Sequence, residues 1–316
     1  MWLVMVDTTL SEAENEMTTR HGAKGWNLIV DVAKCENCNN CTLAVRDEYI
    51  ENDFPGYSAA QPKHGHHWIK ISRRVRGDGP MVDAAYLPTS CNHCDNAPCI
   101  KAGGEGVVRK RQDGIVIIDP ERAKGRRDLV EACPYGAIWW NEERQLPQIW
   151  TFDAHLLDQG WTEPRCVQVC PTRAMRALNI DGEAMKLIAD AEKLSVLLPE
   201  LQTAPRVYYK NLYRFDQDFV GGTVIGEVSG VVECLHGAQI VLSKGGKEQA
   251  RTTSDLFGEF KFDGLSPDGA KYALQISKDG FDGQSRDVTL SKSTYLGRLQ
   301  LEPTKRANPG QRQPDL

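Results

Sequence analysis

The chain has 316 residues and a formal net charge of −5, from 38 Lys and Arg against 43 Asp and Glu. That length suggests two domains, or three, and the acidic balance speaks against nonspecific nucleic-acid binding, which needs a basic surface. No apolar run approaches the roughly 20 residues that cross a bilayer. The apolar stretch 1–6 is too short for a secretory signal and has no basic leader, so the chain is expected to be cytoplasmic and to have no membrane span. The ten Cys cluster at short gaps in a large chain, which indicates metal binding rather than a disulfide framework.

Residues 1–25 are polar and weakly periodic, and read as an N-terminal arm that packs on a partner. Residues 26–32 (WNLIVDV) predict a strand that delivers the run Cys35-x2-Cys38-x2-Cys41. A short helix is expected over 42–49. Residues 52–86 form a long insert containing His64, His66 and His67. No Cys or carboxylate is interleaved, so a solvated or partner-facing loop is favoured over a metal site. Arg73, Arg74 and Arg76 read as a solvated basic face, or as a docking patch.

The second run, Cys91-x2-Cys94-x4-Cys99, precedes a hairpin predicted over 106–111 and 114–119 around Asp113-Gly114. A loop and helix then lead to Cys133-Pro134, and 153–168 lead to Cys170-Pro171. An amphipathic helix is expected over 183–197, with Met185, Ile188, Ala189 and Ala191 on its apolar side. Residues 205–215 are an aromatic-rich connector that closes a first domain at 26–215. From Gly221 the texture changes to short strands between Gly and Asp turns. They are expected at 223–228, 239–242, 249–253, 259–262, 272–276, 287–290 and 296–301, as a β-sandwich over 221–302. Cys234 lies there alone and reads as a buried apolar thiol. The polar, Pro-bearing tail 303–316 reads as disordered.

Three closely spaced thiolates plus one remote Cys-Pro form the ligand set of a 4Fe–4S cluster in bacterial-ferredoxin folds. Structural zinc favours paired CxxC knuckles and would leave an odd thiolate in each run. Two clusters are therefore expected. The inner set is Cys91, Cys94, Cys99 and Cys133, and the outer set Cys35, Cys38, Cys41 and Cys170 closes around it.

This nested order resembles the iron–sulfur subunits of molybdopterin oxidoreductases of the dimethyl sulfoxide reductase family. Several motifs are similar to the branch that serves pyrogallol–phloroglucinol transhydroxylase and resorcinol hydroxylase. They are Gly65-His66-His67-Trp68, Cys94-Asp95-Asn96-Ala97-Pro98-Cys99, the stretch 113–120 (DGIVIIDP), Cys133-Pro134-Tyr135-Gly136 and 205–212 (PRVYYKNL). Toward the C-terminus, 237–242 (GAQIVL) and 258–262 (GEFKF) also match. The resemblance implies an α+β domain of two interleaved ferredoxin-like modules, followed by an all-β sandwich of transthyretin or immunoglobulin type.

The resemblance also implies a large partner subunit, in a heterodimer or a multiple of it. That partner holds the molybdopterin and carries out the hydroxylation or transhydroxylation of phenols; this chain has no active site of its own. Family members hold up to four clusters. Ligand places of the other two are filled here by Val45, Gly103, Ala123, Arg126, Leu129, Trp150 and Asp153, and Cys166 is left as an orphan. Two functions are compatible with this. One is an electron-transfer subunit. The other is a scaffold whose clusters hold the fold and the complex without relaying electrons.

Overall fold

The computed structural model describes residues 24–304. The expected arm 1–25 and tail 303–316 lie outside these residues except at their inner ends. The chain forms two compact units. The first comprises 24–73 and 85–212, and the second 74–84 and 213–304. No described helix is long and apolar enough to cross a membrane.

In chain order, the first unit begins with β1 (Gly25–Asp31) and helix α1 (Asn40–Tyr49). The hairpin β2 (Lys70–Asp78) and β3 (Met81–Thr89) follows, and its tip belongs to the second unit. Next come α2 (Pro98–Gly103), the hairpin β4 (Val108–Lys110) and β5 (Val116–Ile118), and α3 (Asp128–Glu131). The hairpin β6 (Trp139–Asn141) and β7 (Leu146–Gln148) leads to α4 (Ala154–Asp158) and α5 (Arg165–Gln168). The unit ends with β8 (Met175–Ile180), α6 (Gly182–Glu192) and β9 (Val207–Lys210).

β1 is almost wholly buried because it is the middle strand of a three-stranded sheet. A strand covered on both faces reads as a continuous apolar run. β8 pairs with it antiparallel, Val30 opposite Met175, and β9 pairs parallel, Leu28 opposite Val207. α6 starts at Asp181, whose side chain accepts the Ala184 N–H at 2.8 Å, an N-cap. It ends at Lys193, in the left-handed region at φ 53°. The expected helix over 183–197 therefore stops short, since no further turn can follow a left-handed residue.

The insert is more ordered than its sequence suggests. β2 and β3 pair within it, and His66 is buried. Its Nε2 lies 2.9 Å from the Trp140 carbonyl, and its Nδ1 accepts the Trp68 indole N–H at 3.3 Å. The expectation of a solvated loop is corrected for His66, while His64 and His67 are exposed. The reason is local: Trp68 needs an acceptor once buried.

The second unit continues from α7 (Tyr213–Asp216) through β10 (Asp218–Val228), β11 (Val231–Cys234), β12 (Gln239–Lys244), β13 (Lys247–Thr253), β14 (Glu259–Leu265), β15 (Lys271–Ser277), β16 (Gln284–Thr289) and β17 (Thr294–Leu301). β10 pairs with β11, β14 and β17, and a second sheet runs β13-β12-β15-β16. Val220, Val224, Phe260 and Leu299 from one sheet share a core with Ile240, Leu242, Leu274 and Ile276 from the other. This is sheet-on-sheet packing, built on period-2 alternation. β11 was not expected, because all four of its residues are exposed and show no alternation. Cys234 lies on this edge strand and is exposed, which corrects the reading of a buried thiol.

The basic run is also corrected at Arg76, which is 4% exposed. Its guanidinium donates to Asp83 at 2.6 Å and to Asp263 at 2.6 and 2.8 Å. Arg74 donates to Asp218 at 2.9 Å, while Arg73 is exposed. The Phe219 ring lies 5.3 Å from the Arg76 guanidinium and 4.1 Å from the Lys261 ammonium. A cation beside an aromatic face is attracted by the ring quadrupole.

Burial raises the Asp83 carboxyl, but the Arg214 and Arg76 guanidiniums overcome it and hold the group at about 2. An unfolded Asp titrates near 3.9. The folded value is depressed, so this stabilisation is complete above pH 4 and disappears as pH falls from about 4 to about 2. Asp83→Asn is expected to cost the second unit about 2 kcal/mol at pH 7 and to flatten its acid unfolding. A denaturation series between pH 2 and 7 checks this; equal acid sensitivity in both proteins would count against it.

Candidate metal centres

The pairing of β1 with β8 brings two distant loops together. Asp31 N–H donates to Ala174 O at 2.7 Å, where β1 ends and β8 is about to begin. Cys35 and Cys38 follow β1, and Cys170-Pro171 precede β8. Asn40 Nδ2 contacts Val169 O at 3.4 Å, a link between groups 129 residues apart. The loop curls through Asn37 and Asn39, both left-handed at φ 58° and 62°. Asn tolerates this region better than most residues. Cys41 then falls in the first turn of α1, which packs against α5.

The first thiol group runs from buried Cys41 through half-buried Cys35 and Cys170 to exposed Cys38. Burial raises Cys35, the Asn37 backbone N–H opposes it, and the nearby Cys170 and Cys38 add to it. Burial pushes Cys41 up to about 11, against hydrogen bonds from Thr42. The Ala174 N–H donates to Cys170 Sγ at 3.2 Å.

The second group is set deeper. Cys91 and Cys94 are buried, and Cys99 and Cys133 half-buried. Cys91 shares a core with Val108, Ile118, Leu129 and Ile149, against which Cys99 and Cys133 pack. Burial raises Cys91 well above a free thiol, with Cys99 and Cys133 adding. Cys99 is pushed to about 11 by burial, then by Cys133 and Cys94. The loop turns at His93, left-handed at φ 46°. His93 Nδ1 accepts the Val116 N–H at 3.0 Å. Burial, then Lys110 and Arg206, lower its pKa to about 3, so the ring is neutral.

The backbone of this loop is pinned from outside. Asp95 N–H donates to Ala204 O and Asn96 N–H to Thr203 O, both at 2.9 Å. The Lys110 ammonium donates to His93 O at 2.9 Å and Cys94 O at 2.8 Å. Burial pulls the Lys110 pKa down and Asp95 opposes it. Both Cys-Pro segments form the same turn. Gly136 N–H donates to Cys133 O and Arg173 N–H to Cys170 O, each at 3.1 Å. Gly136 and Arg173 are both left-handed, at φ 61° and 50°.

The structure thus gathers Cys35, Cys38, Cys41 and Cys170 in one place, and Cys91, Cys94, Cys99 and Cys133 in another. Thiolates, not thiols, bind metal, so raised thiols release protons when they ligate. Among the described residues no group of three or more His, Cys, Asp or Glu is arranged to hold a metal ion as it stands. Four soft thiolates in each group suit an iron–sulfur cluster.

The other candidate positions are closed by packing. Val45, Ala123, Leu129, Trp150, Asp153 and Cys166 are buried. Asp153 Oδ1 accepts from the Trp150 indole and the Tyr49 hydroxyl, both at 3.0 Å, and Oδ2 accepts the Arg165 N–H at 2.8 Å. Burial raises this carboxyl against those donors. Trp150 stacks on Phe152 at 4.8 Å, and Phe152 meets His93 edge-on at 5.5 Å. A Cβ on Gly103 would lie 2.7 Å from Val108 Cγ2. The Arg126 guanidinium donates to Gly103 O at 3.1 Å and Ala102 O at 2.9 Å. Sequence reasoning missed the parts played by Tyr49, His93, Lys110 and Arg206; Arg206 lies in the 205–212 motif, but its partners Asp95 and Asn92 are distant in sequence.

The fold and its two thiol groups define an iron–sulfur protein. Residues 82–180 match the family model of a 4Fe-4S dicluster domain, and 220–301 that of a carboxypeptidase regulatory-like domain. The pyrogallol hydroxytransferase small subunit of Pelobacter acidigallici is 46% identical over 277 residues, covering 87% of this chain and 98% of that one. A tetrathionate reductase subunit of Salmonella typhimurium is 32% identical over 208 residues, 64% of this chain and 77% of that one. The arsenate respiratory reductase iron-sulfur subunit ArrB of Shewanella sp. is 28% identical over 232 residues, 58% and 94%. The chain belongs to the family of iron–sulfur electron-transfer subunits of molybdopterin oxidoreductases, together with the pyrogallol hydroxytransferase small subunit.

Trp150 fills space that no neighbour can reclaim. Trp150→Ala is expected to destabilise the first unit by about 3–5 kcal/mol, and Trp150→Phe by less. The denaturation midpoint of the first unit reads this; an unchanged midpoint in the alanine variant would contradict the packing described.

Proposed function

We propose that this chain holds two 4Fe–4S clusters and passes electrons to and from a large molybdopterin-binding partner that hydroxylates or transhydroxylates phenols, in the cytoplasm. Cys35, Cys38, Cys41 and Cys170 hold one cluster, and Cys91, Cys94, Cys99 and Cys133 the other. The two ferredoxin-like modules are interleaved, the inner one nested between Cys41 and Cys170. The observation that carries the reading is that Cys170 stands near Cys35 and Cys38, and Cys133 near Cys91, with the two Cys-Pro segments sharing one turn geometry. When bound, the clusters supply reversible one-electron storage. The chain's residues orient backbone N–H groups toward sulfur at Asn37 and Ala174, and exclude water around Cys91 with a shell of aliphatic side chains. Such contacts set a potential.

The phenolic substrate follows from the name of the pyrogallol hydroxytransferase relative. The second reading, a scaffold, draws support from the packed side chains at Trp150 and Asp153, which leave no room there for a further centre.

Anaerobically prepared protein is expected to contain about eight irons and as many inorganic sulfides per chain. Cys38→Ser or Cys94→Ser should each reduce that to about four. Iron content unmoved by either substitution would refute the ligand sets. Co-purification with a molybdenum-containing large subunit tests the partnership. In that complex, EPR during turnover separates relay from scaffold: centres that stay redox-silent would establish the scaffold.

A further inference from the structure

The two thiol groups differ in the charges that surround them. Lys110 reaches the Cys91–Cys99 loop from β4, with its side chain 23% exposed. An ammonium has three N–H donors. Here they serve His93 O at 2.9 Å, Cys94 O at 2.8 Å and Asp95 Oδ1 at 2.8 Å. Arg206 meets the same Asp95 oxygen at 2.6 Å, and its own N–H donates to Asn92 O at 2.9 Å. Two cations thus share one carboxylate, and the balance over the loop is one positive charge. Cys35, by contrast, is flanked by Lys34 and Glu36, whose opposite charges offset one another.

An added electron makes a thiolate-bound cluster more negative. A fixed cation nearby favours that state, and a poorly solvated site strengthens the effect. We propose that Lys110 is an electrostatic positioning residue that holds the Cys91, Cys94, Cys99, Cys133 centre at a higher reduction potential than the Cys35, Cys38, Cys41, Cys170 centre. Asp95 moderates its charge. With both centres bound, Lys110 would favour the reduced state of the centre held by Cys91, Cys94, Cys99 and Cys133, an outer-sphere one-electron exchange in which no proton or bond would move. The inference rests on the ligand sets proposed above.

An EPR-monitored redox titration of the full chain with its clusters tests it. Lys110→Met is expected to lower one midpoint, changing that reduction equilibrium about tenfold or more, which is about 59 mV for one electron. The other midpoint and the iron content stay put, and Lys110→Arg restores the native value. Asp95→Asn, which removes the negative partner, should raise the same midpoint. Loosened packing does not give shifts of opposite sign. If Lys110→Met fails to retain iron, the sign of the Asp95→Asn shift decides alone. Full iron with unmoved midpoints, or a downward shift for Asp95→Asn, would overturn the proposal while leaving the ligand sets intact. Native protein with fewer than about eight irons would sink the ligand sets and the proposal together.

Discussion

The pairing of β1 with β8 is the constraint on which the first unit depends. It closes the chain on itself between Asp31 and Ala174. Nothing local in sequence holds Cys170 near Cys35; this register does, together with the packing of α1 on α5. The apolar run in β1 makes the pairing worthwhile, because burial on both faces repays the entropy of a long closure. The remaining hydrogen bonds at the site, from Asn40 to Val169 and from Ala174 to Cys170, refine a geometry already set.

Within that frame the two thiol groups have different surroundings. One lies at the surface, with Cys38 exposed and asparagines bending the loop. The other sits in an aliphatic core and is braced from outside by Lys110, Asp95 and Arg206. A buried loop must satisfy its carbonyls, and here an ammonium does so while adding charge. The packing around Asp153 follows the same logic. A bare carboxylate at Asp153 would be costly in the interior, and three donors offset that.

The second unit obeys a separate rule, since it holds neither of the two Cys clusters. Its core is the interdigitation of two sheets. The tip of the β2–β3 hairpin is chemically part of it through Arg76, whose buried charge is matched by Asp83 and Asp263. A buried cation with two carboxylates is tolerated where an unpaired one would not be.

Much was legible in the residues alone. The spacing of the cysteines names the cofactor class, because three thiolates at two- and four-residue gaps suit few other groups. The strand 26–32, the hairpin at Asp113-Gly114 and most strands after 221 were readable, since each announces itself through period or turn chemistry. β11 and the hairpin in the insert were not, as neither carries alternation. Nor were His66, Arg76, Lys110 and Asp153, whose roles depend on partners distant in sequence. The sequence by itself determined which atoms can bind iron, because ligation is a property of residue type and local spacing. Only the tertiary structure decided how deeply each thiol group is buried and which charges stand beside it, because both depend on β-sheet register and packing, which join segments that share no local signal.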